Sequence, residues 1–110
     1  MAGVLEGEIN ALHAQICAGL ADPKRILILY LLHDQPRTVT ELVQALGTPQ
    51  PAVSRHLKTL RDRGMVVATR QGPSVLYSLG DERLIQALDL LRAVLRENLA
   101  RRAELVDQMG

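Results

Sequence analysis

Thr38 to Gly64, TVTELVQALGTPQPAVSRHLKTLRDRG, is the stretch whose reading decides the fold. Thr38 precedes Glu41 by three residues. That is the spacing of a capping box, in which hydroxyl and carboxylate each satisfy an amide left free at a helix start. Val39, Leu42 and Leu46 then recur at spacings of three and four, and Gly47 is placed to close the run in the left-handed conformation that glycine tolerates. From Thr48 onward, Val53, Leu57 and Leu60 form a second apolar stripe, with Ser54, Arg55, Lys58 and Arg61 on the opposite side. Two short helices joined by a tight turn, the second apolar inside and cationic outside, predict a helix-turn-helix over residues 38–63.

The cationic side carries the functional reading. Between Thr48 and Gly64, Arg55, Lys58, Arg61 and Arg63 stand against Asp62 alone, a local net charge of +3 in a chain of formal net charge +1. Such a ridge suits the major groove of double-stranded DNA, where Arg and Lys neutralise phosphates or reach guanine edges, and Gln50 near the helix start suits adenine. A solvated surface helix also presents a basic face. On charge alone the two readings weigh equally; the capped helix and tight turn in front tip the balance towards DNA.

Composition narrows the field further. A chain of 110 residues predicts one domain spanning 1–110, large enough for a core but small for an enzyme with a deep cleft. Hydrophobic residues make up 47%, yet Phe and Trp are absent and Tyr30 and Tyr77 are the only aromatics, so the core must be aliphatic. The same scarcity removes the stacking platforms that single-stranded nucleic acid requires. One cysteine excludes an intrachain disulfide. The N-terminal stretch lacks a charged segment followed by an apolar one, so no signal peptide is expected. The longest apolar run, Ile26 to Leu32, falls far short of the roughly 20 residues of a membrane span. A cytoplasmic protein without a membrane partner follows. With no Gly-rich phosphate loop and no recognisable Ser, Cys or His constellation, neither an enzyme nor a cofactor is expected.

On the N-terminal side, Val4 to Ala18 reads as a helix with Leu5, Ile9, Leu12 and Ile16 on one face. His13 and Cys17, four apart, share a face and make at most half of a metal site; they are kept as candidate sensor residues, with no metal assigned. The alternative is a buried free cysteine acting as a small hydrophobe beside a surface histidine. Asp22-Pro23 is an N-cap followed by a first-turn proline. The following ILILYLL, apolar all round, predicts a helix at the centre of the domain, ended by His33 to Pro36.

Beyond Gly64 the period changes. Met65–Arg70 and Ser74–Leu79 read as strands around Gln71-Gly72-Pro73, a hairpin wing over residues 65–79 in which Val75, Tyr77 and Leu79 face the helices. Arg70 is placed to touch phosphate or enter the minor groove. Asp81 to Met109 reads as a long helix whose Leu84, Leu88, Leu91 and Leu95, extended by Leu99 and Val106, form a seam that needs a partner. Residues 1–20 and 81–110 are therefore expected to be dimerisation helices of a homodimer.

The strings GLADPKRILILYLL, TVTELVQALG, AVSRHLKTLRDRGMV and LYSL, in this order, resemble the arsenical-resistance-repressor (ArsR) family of winged-helix regulators over about Gln15 to Leu95. The most specific piece is VSRHLKTLRDRGMV with its hairpin. The resemblance implies a homodimeric bacterial-type repressor that binds a palindromic operator and releases it on sensing a ligand. It also implies a dimer interface built from the first and last helices, and places Ser54, Arg55, His56 and Lys58 on the DNA-reading helix, His56 being no metal ligand.

The chain departs from the family in two respects, its sensing ligands and the start of its recognition helix. Thr38 and Thr40 stand where metal-sensing relatives have a Cys-x-Cys pair, and the final helix lacks His and Cys, so both usual metal sites are missing. Redox-sensing relatives use two cysteines, which leaves Cys17 an intersubunit disulfide, single-thiol modification or an unusual intersubunit site with His13. Pro49 and Pro51 replace serines common in relatives; proline fits a first turn but removes donors, shifting specificity to Gln50, Ser54 and Arg55.

The expected architecture is mainly α with a small β-hairpin wing: a winged helix-turn-helix of five helices, dimeric through the first and last. Its recognition helices would lie about 34–36 Å apart to meet successive major-groove faces. Gln50, Ser54, Arg55, His56, Lys58, Arg61 and Arg70 are the expected DNA contacts, and the effector, small-molecule or redox, is unidentified. The alternative is a winged-helix protein-interaction module acting through the Leu-rich last helix. The basic helix face weighs against it, because protein interfaces are depleted in Lys.

Overall fold

The computed structural model describes residues 2–109. Helix α1, Ala2–Leu12, runs without a break into a π-helical turn, His13–Cys17. Then follow α2 (Pro23–Asp34), α3 (Val39–Leu46), α4 (Gln50–Asp62), strands β1 (Val66–Gln71) and β2 (Ser74–Leu79), and α5 (Arg83–Met109). This is a winged helix-turn-helix with five helices and a two-stranded antiparallel sheet.

Local chemistry places the helix ends. The Asp22 carboxylate accepts from the Lys24 amide at 2.8 Å, which holds that carboxyl below its usual range, and Pro23 opens α2. The Thr38 hydroxyl accepts from the Glu41 amide while the Glu41 carboxylate accepts from the Thr38 amide, and that amide, then the Thr38 hydroxyl, lowers the Glu41 pKa by donating to the carboxylate. Gly47 closes α3 at φ 62°. Pro49 precedes α4 and Pro51 sits in its first turn, so that helix starts without a side-chain cap.

Ile28, Leu29 and Leu32 of α2 meet Leu42 of α3, Val53, Leu57 and Leu60 of α4, Met65 and Val66 at the wing's root, and Ile85 and Leu88 of α5. All are aliphatic or Met. Fully burying such a side chain contributes about 1.5–3 kcal/mol, so the three inward residues of α4 hold that helix firmly. The centre of the fold is α2, but it is not buried all round: Leu27 is 51% exposed. The elements packed on α2 are α3, α4, α5 and β2, and the sector carrying Leu27 stays half open among the described residues.

The wing pairs Val66 with Leu79 through Gln71 with Ser74, so the strand takes in Gln71 and the loop is only Gly72-Pro73. Gly72 at φ 59° followed by a residue locked at negative φ is the pattern of a type II′ turn. Tyr77 and Leu79 pack on the core as expected, whereas Val75, nearer the tip, does not. Alternation is blurred because residues 75–79 are all half-buried on a sheet of two strands. Arg37, between α2 and α3, extends this sheet: its amide and carbonyl both bond to Tyr77, at 2.9 and 2.8 Å.

Only the first turns of α5 join the body. Ile85 and Leu88 are buried, the Tyr30 hydroxyl donates to Asp89 at 2.6 Å, and Arg92 lies 5.1 Å from the centre of the Tyr30 ring. Burial, then the Asp89 bond, pushes the Tyr30 phenol up. Further along, Leu91, Val94, Leu95 and Leu99 are 51–60% exposed, and Leu5, Ile9 and Leu12 of α1 are likewise open. Among the described residues no helix is long and apolar enough to cross a membrane.

Candidate nucleic-acid interface

With Val53, Leu57 and Leu60 fixed in the core, the remaining faces of α4 are set by the 100° step of the helix. Arg55, Lys58 and Arg61 are exposed along its length, Gln50 is exposed at its first residue, and Ser54 is half-buried. Lys58 pairs with Asp62 at 2.9 Å, and that bond draws the Asp62 carboxyl below its usual range. Both partners are exposed, and such a pair contributes at most about 1 kcal/mol, so it holds Lys58 only weakly. Arg70 is exposed near the wing tip, opposite Val75. Five of the seven expected contacts thus share one helix surface, and Arg70 stands apart on the wing.

His56 is placed differently from the ridge. It is half-buried, and its Nδ1 lies 3.3 Å from a guanidinium nitrogen of Arg25. Arginine only donates, so Nδ1 accepts and Nε2 carries the ring hydrogen. Arg25 is itself held by the carbonyls of Gly19 at 2.7 Å and Ala18 at 3.2 Å. The ring is therefore oriented by the segment that joins the π-helical turn to α2.

Arg63 does not belong to the ridge in which its charge was counted. Its guanidinium reaches back to the π-helical turn that follows α1, donating to the carbonyls of Ala14 at 2.6 Å and Gln15 at 3.2 Å. The cationic surface offered outward by α4 is accordingly Arg55, Lys58 and Arg61. No pattern in the sequence signals this, because the acceptors are backbone carbonyls 48 and 49 residues away.

Cys17 is exposed, contrary to the reading as a buried hydrophobe, because the described part of α1 and its π-helical turn contribute no buried residue within the chain. His13 is exposed at the other end of that turn. Among the described residues, no three His, Cys, Asp or Glu side chains gather closely enough to hold a metal ion. A cavity of about 270 Å³ lies beside the turn, lined by Ile16, Gly64, Met65, Asp81, Arg83 and Leu84. The Arg83 guanidinium grips the Asp81 carboxylate at its edge, and this holds the Asp81 pKa down to about 2.

Residues 22–67 match the sequence profile described as bacterial regulatory protein, arsR family. The HTH-type transcriptional regulator NmtR of Mycobacterium tuberculosis is 42% identical over 85 residues, 77% of this chain and 71% of that protein. Among solved structures, Rv0081 of M. tuberculosis superimposes with a TM-score of 0.78 at 34% identity, covering 86% of this chain and 96% of that one. The homodimeric winged helix-turn-helix DNA-binding domain of Mb0332 from Mycobacterium bovis, a possible ArsR-family regulator, gives 0.75 at 28% identity, covering 86% and 87%.

Proposed function

Because the chain belongs to the arsR family of bacterial regulatory proteins, and so is a DNA-binding transcriptional repressor, we propose that it works as a cytoplasmic homodimer on a palindromic operator of double-stranded DNA. The observation that carries this reading is α4 itself: one face is locked into the core by three fully buried side chains while the other presents Arg55, Lys58 and Arg61 to solvent. Arg55 and Arg61 reach phosphate and guanine edges, Lys58 exchanges Asp62 for a phosphate, and Gln50 and Ser54 refine the choice of sequence. His56 offers Nε2–H from a ring that Arg25 orients. Arg70 reaches the backbone or minor groove from the wing. The open apolar rows of α1 and α5 cover one another across the dimer axis. The release signal is assigned to thiol chemistry at the exposed Cys17, with His13 beside it on the helix.

A binding titration tests these assignments, using the dimer, the DNA upstream of its own coding sequence and a scrambled duplex, at several salt concentrations. A preference of about a thousandfold with a steep salt slope is expected of an operator-binding protein. Equal, weak binding to both duplexes refutes it and favours a protein-interaction module. Arg55→Ala is expected to cost about 1–3 kcal/mol of specific binding; unchanged affinity and base preference would remove Arg55 from the site. If oxidation weakens binding and Cys17→Ser abolishes that loss, the thiol is the sensor, whereas equal affinity in both redox states removes it.

A further inference from the structure

Arg63 occupies the C-cap of α4, at the end of a ridge otherwise turned to solvent, yet it bonds to the π-helical end of α1. Backbone accounting shows why carbonyls are free there. The Ala18 amide reaches back five residues to His13, and the Leu20 amide reaches back only four, to Ile16. Between them only the Gly19 amide is left for the carbonyls of Ala14 and Gln15, so the turn leaves more acceptors than donors. The Arg63 guanidinium spans that pair.

Two glycines let the surrounding backbone close on the same point. A Cβ on Gly19 would come 2.6 Å from Met65 Sδ and 3.1 Å from Arg63 Cδ, and one on Gly80 would come 2.5 Å from the Gly64 carbonyl oxygen. The Gly80 amide donates to the Met65 carbonyl at 2.9 Å. The end of α4 is thus gripped between the end of α1 and the entry to α5, the two helices of the proposed dimer platform.

We infer that Arg63 is a positioning residue for operator recognition: it sets the angle of α4 on that platform without touching DNA. The inference rests on the operator-binding reading above. Its physical basis is leverage. The 13 residues of α4 span about 20 Å, so a tilt of about 10° about its C-terminal end carries the reading end by roughly 3 Å. Two half-sites about one helical turn apart tolerate little such error if both recognition helices are to bind at once, and binding through both is lost when geometry forbids simultaneous engagement.

The test compares wild type, Arg63→Ala and Arg63→Lys on the full palindrome, a single half-site and a scrambled duplex across a salt series. Melting temperature and dimer dissociation are measured alongside. Arg63→Ala is expected to lose about tenfold or more on the palindrome. Its half-site binding, salt slope and dimer dissociation should match wild type, and Arg63→Lys, which keeps the charge and N–H donors on a slightly shorter stem, should restore most of the affinity. Arg63→Gln, with a shorter polar side chain, no charge and fewer donors, is expected to weaken palindrome binding selectively as well and serves if the alanine variant does not fold. A loss equal on all duplexes with the salt slope reduced by about one overturns the inference in favour of a phosphate contact. A loss that tracks melting temperature or dissociation overturns it in favour of a purely structural role. Unchanged palindrome binding overturns it alone, while a wild type indifferent to the palindrome overturns the operator reading beneath it.

Discussion

The helix-turn-helix body and the two flanking helices carry the same residue types at the same period, with opposite results. Leu29, Leu42, Leu57 and Leu60 are fully buried, whereas Leu5, Ile9, Leu95 and Leu99 lie about half open or more. In the body, the stripes of α2, α3 and α4 that carry these residues meet other elements of their own chain. In α1 and the outer part of α5, the stripe has no cover among the described residues. Hydrophobic periodicity declares that a face requires covering, but it does not say which molecule supplies the cover. The body completes its buried cluster within one chain, while in the proposed homodimer the apolar rows of the arms are covered only on association and so depend on concentration.

That contrast can be broken most forcefully at Leu57. Leu57→Ala is expected to cost about 2–5 kcal/mol through lost burial and a residual cavity, read by denaturant titration and independent of protein concentration. A loss below about 1 kcal/mol would mean that the body is not closed by α4.

On the arm, Leu95→Glu puts a charge on the exposed row of α5. Dimer dissociation is expected to strengthen by about a hundredfold or more, as for an interface anchor, with operator affinity falling in parallel and the isolated body still folded. Sedimentation velocity and far-UV circular dichroism separate the two effects. Unfolding of the whole chain would show that body and arm are not distinct.

The smallest effect is expected where they join. Asp81 starts α5, and the Arg83 side chain, then the Arg83 amide, depresses its carboxyl from 3.8 to about 2. A carboxyl with a lowered folded pKa stabilises the fold above its unfolded value and loses that contribution as pH falls through its folded one. Stability should therefore drop between about pH 4 and pH 2, and Asp81→Asn should flatten that part of the profile measured by urea titration. A profile unchanged by the substitution would detach the ion pair from stability.

Much of the body was readable before any coordinates. Thr38 and Glu41 cap α3, Gly47 ends it, and Val53, Leu57 and Leu60 are its neighbour's buried face, because each signal acts within a turn or two of chain. The exposed ridge was readable in its middle, at Arg55, Lys58 and Arg61, for the same reason. It failed at its end. Arg63 looks like one more cation of the ridge, and only the arrival of α1 reveals two carbonyls waiting for it. Nor does the sequence mark that Arg25 lies against the ring of His56.

The sequence by itself determined which residues form helices, where they start and stop, and which faces are apolar, since these follow from local hydrogen bonding and from the periods of helix and strand. Only the tertiary structure decided which groups with equivalent local signals meet: that Leu27 stays open while Leu29 closes, that Arg37 adds to the wing, that Cys17 is exposed, and that Arg63 faces a π-helical turn. The physical reason is that these outcomes depend on contacts between residues distant in the chain. A side chain's partner there is set by how whole elements pack, and a free carbonyl carries no mark in the amino-acid code.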